Sequence, residues 1–200
     1  MQKRMLAVAG TGLAVLLVTV GCGGDETAST SSGTWMAKLS GSNMWLAVTV
    51  DGDEAAAFVC GSEDKLTTHT RWLVGASDSP LEADGWSLSL DLESAKASLE
   101  GPGAADSFPD VALSEAKGPL AGLYTAFDSG CQDGVIIFSA SEDGMQVDAL
   151  GAWCSAAGDF SQVTPILPWG KAAKFMAQYE LAGATQSFEV AVAAPSSIDP

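Results

Sequence analysis

Basic residues are scarce in this chain. Among its 200 residues, 9 are Lys or Arg against 25 Asp or Glu, a formal charge of −16 at neutral pH. That leaves no cationic surface able to neutralise phosphates, which excludes nucleic acid as a direct partner and disfavours anionic lipid head groups. Histidine occurs once, at His69, and the four cysteines show no Cys-x-x-Cys spacing, so no metal site and no cofactor is expected. A Gly-x-Ser-x-Gly elbow, a twelve-residue calcium loop and any long window of helical periodicity are missing as well. What is plentiful is core material. Hydrophobic residues make up 47% of the chain and six residues are tryptophan, too much for an acidic disordered tail.

The longest apolar run lies at the start. Lys3 and Arg4 precede an uncharged stretch from Met5 to Val20, then Gly21 and Cys22, which is the layout of a secretion signal. The run is shorter than the roughly 20 residues a spanning helix needs. Thr19-Val20-Gly21-Cys22 resembles the lipobox of bacterial lipoproteins, with small Gly21 before the Cys. That resemblance implies cleavage after Gly21, lipid attachment at Cys22, and an extracytoplasmic domain anchored to the cell membrane or outer membrane. Residues 1–21 are then a signal peptide. Residues 22–33 form a lipid-anchored flexible linker, because Gly23 to Gly33 is small and polar with no apolar anchor. Losing Lys3 and Arg4 with the signal leaves a mature charge of 7 − 25 = −18.

Residues 34–200 read as a β-rich domain, with the break at Gly118-Pro119 marking a subdivision near 118. Short apolar stretches are interrupted every eight to twelve residues by Asp-Gly or Gly-rich turns, the pattern of an all-β antiparallel meander. So many strands in an open meander would leave exposed edges, so the sheet is expected to close as a β-barrel or to form a sandwich. A two-residue turn at Asp51-Gly52 predicts Trp45 opposite Phe58 and Leu46 opposite Ala57. Trp86-Ser87-Leu88-Ser89-Leu90 alternates cleanly and buries its larger residues. Near the end, Ala182-Gly183 turns the chain so that Phe175 opposes Val190 and Ala177 opposes Phe188. A helix over 171–181 competes with that strand, and strand is preferred.

With Cys22 assigned to lipid, three cysteines remain. A disulfide between Cys131 and Cys154 is favoured, since the two flank the turn near Glu142-Asp143-Gly144. They face each other if Glu142-Asp143 is the turn centre and are diagonal if Asp143-Gly144 is. Cys60 is left as a buried thiol. His69 reads as a solvent-edge residue of a polar alternating strand over 67–71 and not as a general base. The acidic turns at 51–54 and 142–144 read as hairpin turns in preference to calcium sites, and no pair among the carboxylates stands out for hydrolysis.

Gly33-Thr34-Trp35 at the first strand, followed by Leu39-Ser40-Gly41-Ser42-Asn43-Met44, resembles the opening of the calycin barrels, the lipocalin and avidin-like proteins. It implies a barrel and carries no site residue, because Ala37 and Phe58 stand where avidins place their biotin contacts. Val48-Thr49-Val50-Asp51-Gly52, Ala57-Phe58-Val59-Cys60 and Ala121-Gly122-Leu123-Tyr124 resemble an uncharacterised group of β-meander envelope lipoproteins of high-GC bacteria. The expected function is a non-catalytic, membrane-tethered domain that binds a small or surface ligand in a concavity lined by Trp and other apolar residues. The alternative is a structural or interaction lipoprotein that recognises an envelope protein or wall polymer through its outer face.

Overall fold

The computed structural model describes residues 32–118, 120–140, 146–166 and 174–199. Every strand pairing in it is antiparallel, and the strands form two sheets. The first contains β1 (Gly33–Lys38), β2 (Trp45–Asp51), β3 (Glu54–Cys60), β4 (Arg71–Ala76) and β5 (Leu81–Ala83). It continues through β6 (Trp86–Asp91), β7 (Lys96–Glu100), β8 (Ser107–Ala112) and β9 (Ser114–Glu115). The second contains β10 (Gly122–Asp128), β11 (Cys131–Ala140) and β12 (Val147–Cys154), then β13 (Phe160–Pro165), β14 (Lys174–Leu181) and β15 (Ala184–Val192). The chain changes sheet between Glu115 and Gly122, around the Gly118-Pro119 break.

The first sheet is a meander that almost closes on itself. Residues 107–115 pair with β7 through β8 and with β1 through β9, so one short segment spans both edges. Trp35, Leu46, Val48, Trp86, Leu88 and Leu99 fill the inside. The second sheet is a closed six-stranded barrel, with β10 bonded to β15. Its interior is aromatic: Tyr124, Trp153, Phe175, Tyr179 and Phe188 pack with Val135, Ile137 and Val190. The calycin-like expectation of one barrel is therefore replaced by two barrel-like sheets, neither of them a sandwich.

A third core joins them. Met36, Ala47, Ala56, Phe58 and Trp72 on the outside of the first sheet meet Leu123, Ile136, Leu150 and Ala152 on the outside of the barrel. Strands β2 and β3 are thus buried on both faces, which explains their continuous runs WLAVTV and AAAFVC in place of alternation. Contact is closest at Gly134, where an added Cβ would lie 2.5 Å from the Phe58 ring. Only a glycine admits the ring there.

Registers test the sequence reading strand by strand. The last hairpin is as expected, with Phe175 opposite Val190, Ala177 opposite Phe188, and Ala182-Gly183 at the turn. The first hairpin is shifted by two: Trp45 faces Cys60 and Leu46 faces Val59, because the turn is Gly52-Asp53. Gly52 takes φ +60 at the first turn position while Asp53 does not enter positive φ, the arrangement of a type II′ turn, where glycine leads. The polar strand expected over 67–71 is also corrected. A 3₁₀ turn, Glu63–Lys65, runs into a short helix α1 (Leu66–His69), and β4 starts only at Arg71. Leu66, buried in the inter-sheet core, overrides the weak helix preference of Thr67 and Thr68.

Candidate functional site: a groove between the two sheets

Where the two sheets diverge, a groove of about 530 Å³ opens between β3, β4 and the β5–β6 turn on one side and the Cys131–Cys154 end of the barrel on the other. Its floor is aromatic. The Phe58 and Trp72 rings lie 4.8 Å apart between centroids, and the Trp72 indole N–H donates to the Gln132 backbone oxygen at 3.1 Å. That bond crosses from one sheet to the other and fixes the indole. Phe160 lines the opposite wall, and Phe127 at the mouth is 64% exposed, an unusual position for so large an apolar ring.

Charge enters at the rim. The Arg71 side chain is only 14% exposed, with Nη1 3.8 Å from Asp84 Oδ2. Its Nη2 donates to the Thr68 backbone oxygen, and its guanidinium lies 5.0 Å from the Trp86 ring centroid. Burial pushes this guanidinium below its ordinary value, and Asp84 and Asp106 oppose the shift. Asp84 itself is open to solvent. It holds φ +50 at the first position of the two-residue turn between Ala83 and Trp86, with Gly85 at φ +80. Asp199 adds a second exposed carboxylate to the lining.

The Cys131–Cys154 disulfide forms part of the wall, with Cα atoms 5.6 Å apart. Beside the turn the register is the one expected for Asp143-Gly144, with Ala140 opposite Val147 and Ser139 opposite Asp148; after the shift between Ile137 and Ser139, Gly134 pairs with Ala152 and Cys154 stands level with Gln132. The bridge closes diagonally at the strand ends, helped by the register shift between Ile137 and Ser139. The turn residues 141–145 lie outside the described residues, as do Cys22 and Trp169. Cys60 is free and buried, and burial pushes its thiol far above the ordinary value.

Two further polar clusters escape sequence reasoning. His69 is not a solvent-edge residue: its Nε2 lies 2.9 Å from Asp106 Oδ1 and its Nδ1 2.6 Å from Thr68 Oγ1. In the neutral ring Nε2 carries the proton given to Asp106, and Nδ1 accepts from the Thr68 hydroxyl. This hydroxyl–imidazole–carboxylate chain stands outside the groove lining and ties α1 to the turn before β8. The second cluster is inside the barrel. Asp133 is wholly buried opposite Ala126; its Oδ1 accepts from the Cys154 backbone N–H at 2.8 Å, and its Oδ2 has no partner. Burial pushes this carboxyl up to about 8, against the Cys154 N–H and with the help of Asp128. Asp128 accepts from the Trp153 indole at 3.4 Å, and Tyr179 stacks on Trp153 at 4.1 Å. Sequence spacing does not pair His69 with Asp106, which lie on a short helix and a 3₁₀ turn far apart in the chain; Asp128 and Asp133 lie on the two strands of one tight hairpin whose turn, Ser129-Gly130, carries a recognisable signal.

No group of three or more His, Cys, Asp or Glu able to hold a metal ion occurs among the described residues. Nor is any helix among them long and apolar enough to cross a membrane. Fold and site together define an all-β protein of two fused barrel-like sheets with an aromatic groove at their seam. Comparison with family models, with curated proteins and with solved structures returns no match.

Proposed function

We propose that this chain is an exported lipoprotein, tethered through a lipid on Cys22, whose two-sheet body binds a small or surface ligand in the inter-sheet groove and catalyses no reaction. The observation that carries the reading is the groove. At about 530 Å³ it falls in the size range of small-molecule sites, with an apolar floor and a few polar groups at the rim. Both barrel interiors are filled by side chains, which favours the alternative, recognition through the outer face, so the binding reading is supported by the groove at the seam alone. Trp72, its indole held by the Gln132 carbonyl, is the tryptophan in the lining and supports this reading. Support for export comes from the lipobox-like segment and from a disulfide, which persists in oxidising compartments. The membrane is then a partner through the N-terminal lipid only.

Native mass spectrometry of the purified chain tests the binding reading. Wild type carries a co-purifying small molecule, and Phe127→Asp, which places a charge on an already exposed position, loses it. A bare mass for both would favour the alternative, recognition of an envelope protein or wall polymer by the outer face.

A further inference from the structure

The groove's chemistry narrows the ligand class, an inference that rests on the binding reading above. At the other end of β11 and β12 the same seam already holds a cation. There the Lys38 ammonium sits 4.5 Å from the Trp45 ring centroid and 5.2 Å from that of Phe138, with Asp148 Oδ2 at 2.6 Å. An aromatic pair and one carboxylate thus hold an amine between the sheets. Cations are attracted to ring faces by the quadrupole of the π system, more strongly as water is excluded.

The groove offers the same components. Phe127 and Phe160 present rings at its mouth and wall, while Asp84 and Asp199 place carboxylates at its rim. Arg71 is the one cationic side chain in that lining; its Nη atoms face Asp84 and the Thr68 carbonyl and its guanidinium lies near the Trp86 ring, while its buried Nε is unpartnered. With one cation and two carboxylates the lining is net negative, and the surrounding molecule is strongly acidic, which raises the local concentration of cations. An anionic ligand would have to displace Asp84 from Arg71 and face the whole field.

We propose that the groove binds a small organic ammonium ion with an apolar body, its cationic head between Phe127 and Asp84 and its body over Trp72 and Phe160.

Titration calorimetry with three probes that share a phenyl ring tests this: benzyltrimethylammonium, benzyl alcohol and benzoate. The expected order places benzyltrimethylammonium at least about tenfold tighter than benzyl alcohol, with benzoate weakest and the cation's affinity falling as salt rises. Asp84→Asn is the discriminating variant, because asparagine keeps the positive φ of the turn. It should weaken the cation severalfold and strengthen benzoate by freeing Arg71, a crossover that general loss of structure would not produce. Equal affinity for the cation and the alcohol would overturn the ammonium assignment while leaving the groove reading intact. Preference for benzoate in the wild type would overturn it in favour of Arg71 as the recognising group. Binding of none of the three would contradict the groove reading itself. Phosphatidylcholine vesicles carry the same head on a lipid: cosedimentation relieved by benzyltrimethylammonium assigns the ligand to a headgroup, and its absence alongside solution binding assigns it to a free amine.

Discussion

Asp133 is the residue whose environment departs furthest from what its chemistry prefers. A carboxyl enclosed in the barrel, with one oxygen bonded to Cys154 N–H and the other unpartnered, is kept neutral by the protein up to a pH of about 8. In the unfolded chain it ionises near its ordinary 3.8. Its contribution to stability is therefore full below about pH 4 and is lost as pH rises toward 8, with a slope approaching about 1.4 kcal/mol per pH unit. Asp106, held below the ordinary range chiefly by its His69 hydrogen bond, acts in the opposite sense. Its contribution is present above 3.8 and falls away only at lower pH. Asp133→Asn keeps an acceptor for Cys154 N–H and removes the titration. Urea unfolding of the variant should show stability nearly independent of pH between 5 and 8, whereas the wild type weakens across that window. Parallel pH profiles for the two proteins would show that Asp133 is ionised inside the barrel.

The strand pairs show how much of this fold could be read in advance. Ala182-Gly183, both at positive φ, make a type I′ turn that sets β14 against β15 residue for residue, and local chemistry was enough to predict it. The first hairpin misled by two residues because Asp-Gly also marks a turn in which glycine leads, and the two faces of β2 and β3 are equally buried. Without a polar face, hydrophobic pattern no longer selects the register. That same double burial was the sign of a second sheet, since a single closed barrel would have alternated. The groove was illegible for a related reason. Its residues come from strands more than fifty positions apart, and no motif links Trp72 to Gln132. The disulfide was found by counting, and of the two registers left open the diagonal one holds, with a shift between Ile137 and Ser139 that no sequence signal marks. It closes a loop of 23 residues at the groove wall, so Cys131→Ser with Cys154→Ser should cost about 3 kcal/mol in urea unfolding. In the oxidised wild type, thiol counting should find Cys60 alone, reactive only once the protein unfolds. Two more thiols would contradict the bridge.

At the scale of the whole molecule, acidity and the seam belong to one account. In the proposed lipoprotein, loss of residues 1–21 would raise the negative charge from 16 to 18, a charge that would hold a tryptophan-rich body off anionic surfaces beside the membrane. Tethering is tested separately: Cys22→Ser should abolish incorporation of a palmitate analogue, and continued labelling at the N-terminus would end the lipoprotein assignment. The two sheets share the Phe58–Gly134 contact and the core around it, so their seam is a fixed surface able to hold a preformed groove. The most direct measurement is amide chemical-shift mapping of residues 22–200, the chain that the proposed cleavage would leave, during titration with benzyltrimethylammonium. Shifts should concentrate at Arg71, Trp72, Asp84, Phe127, Gln132 and Phe160 and saturate together. Shifts centred instead on the barrel interior around Tyr179, or spread over the outer strands β6 to β8 with the seam unchanged, would contradict a ligand groove between the sheets.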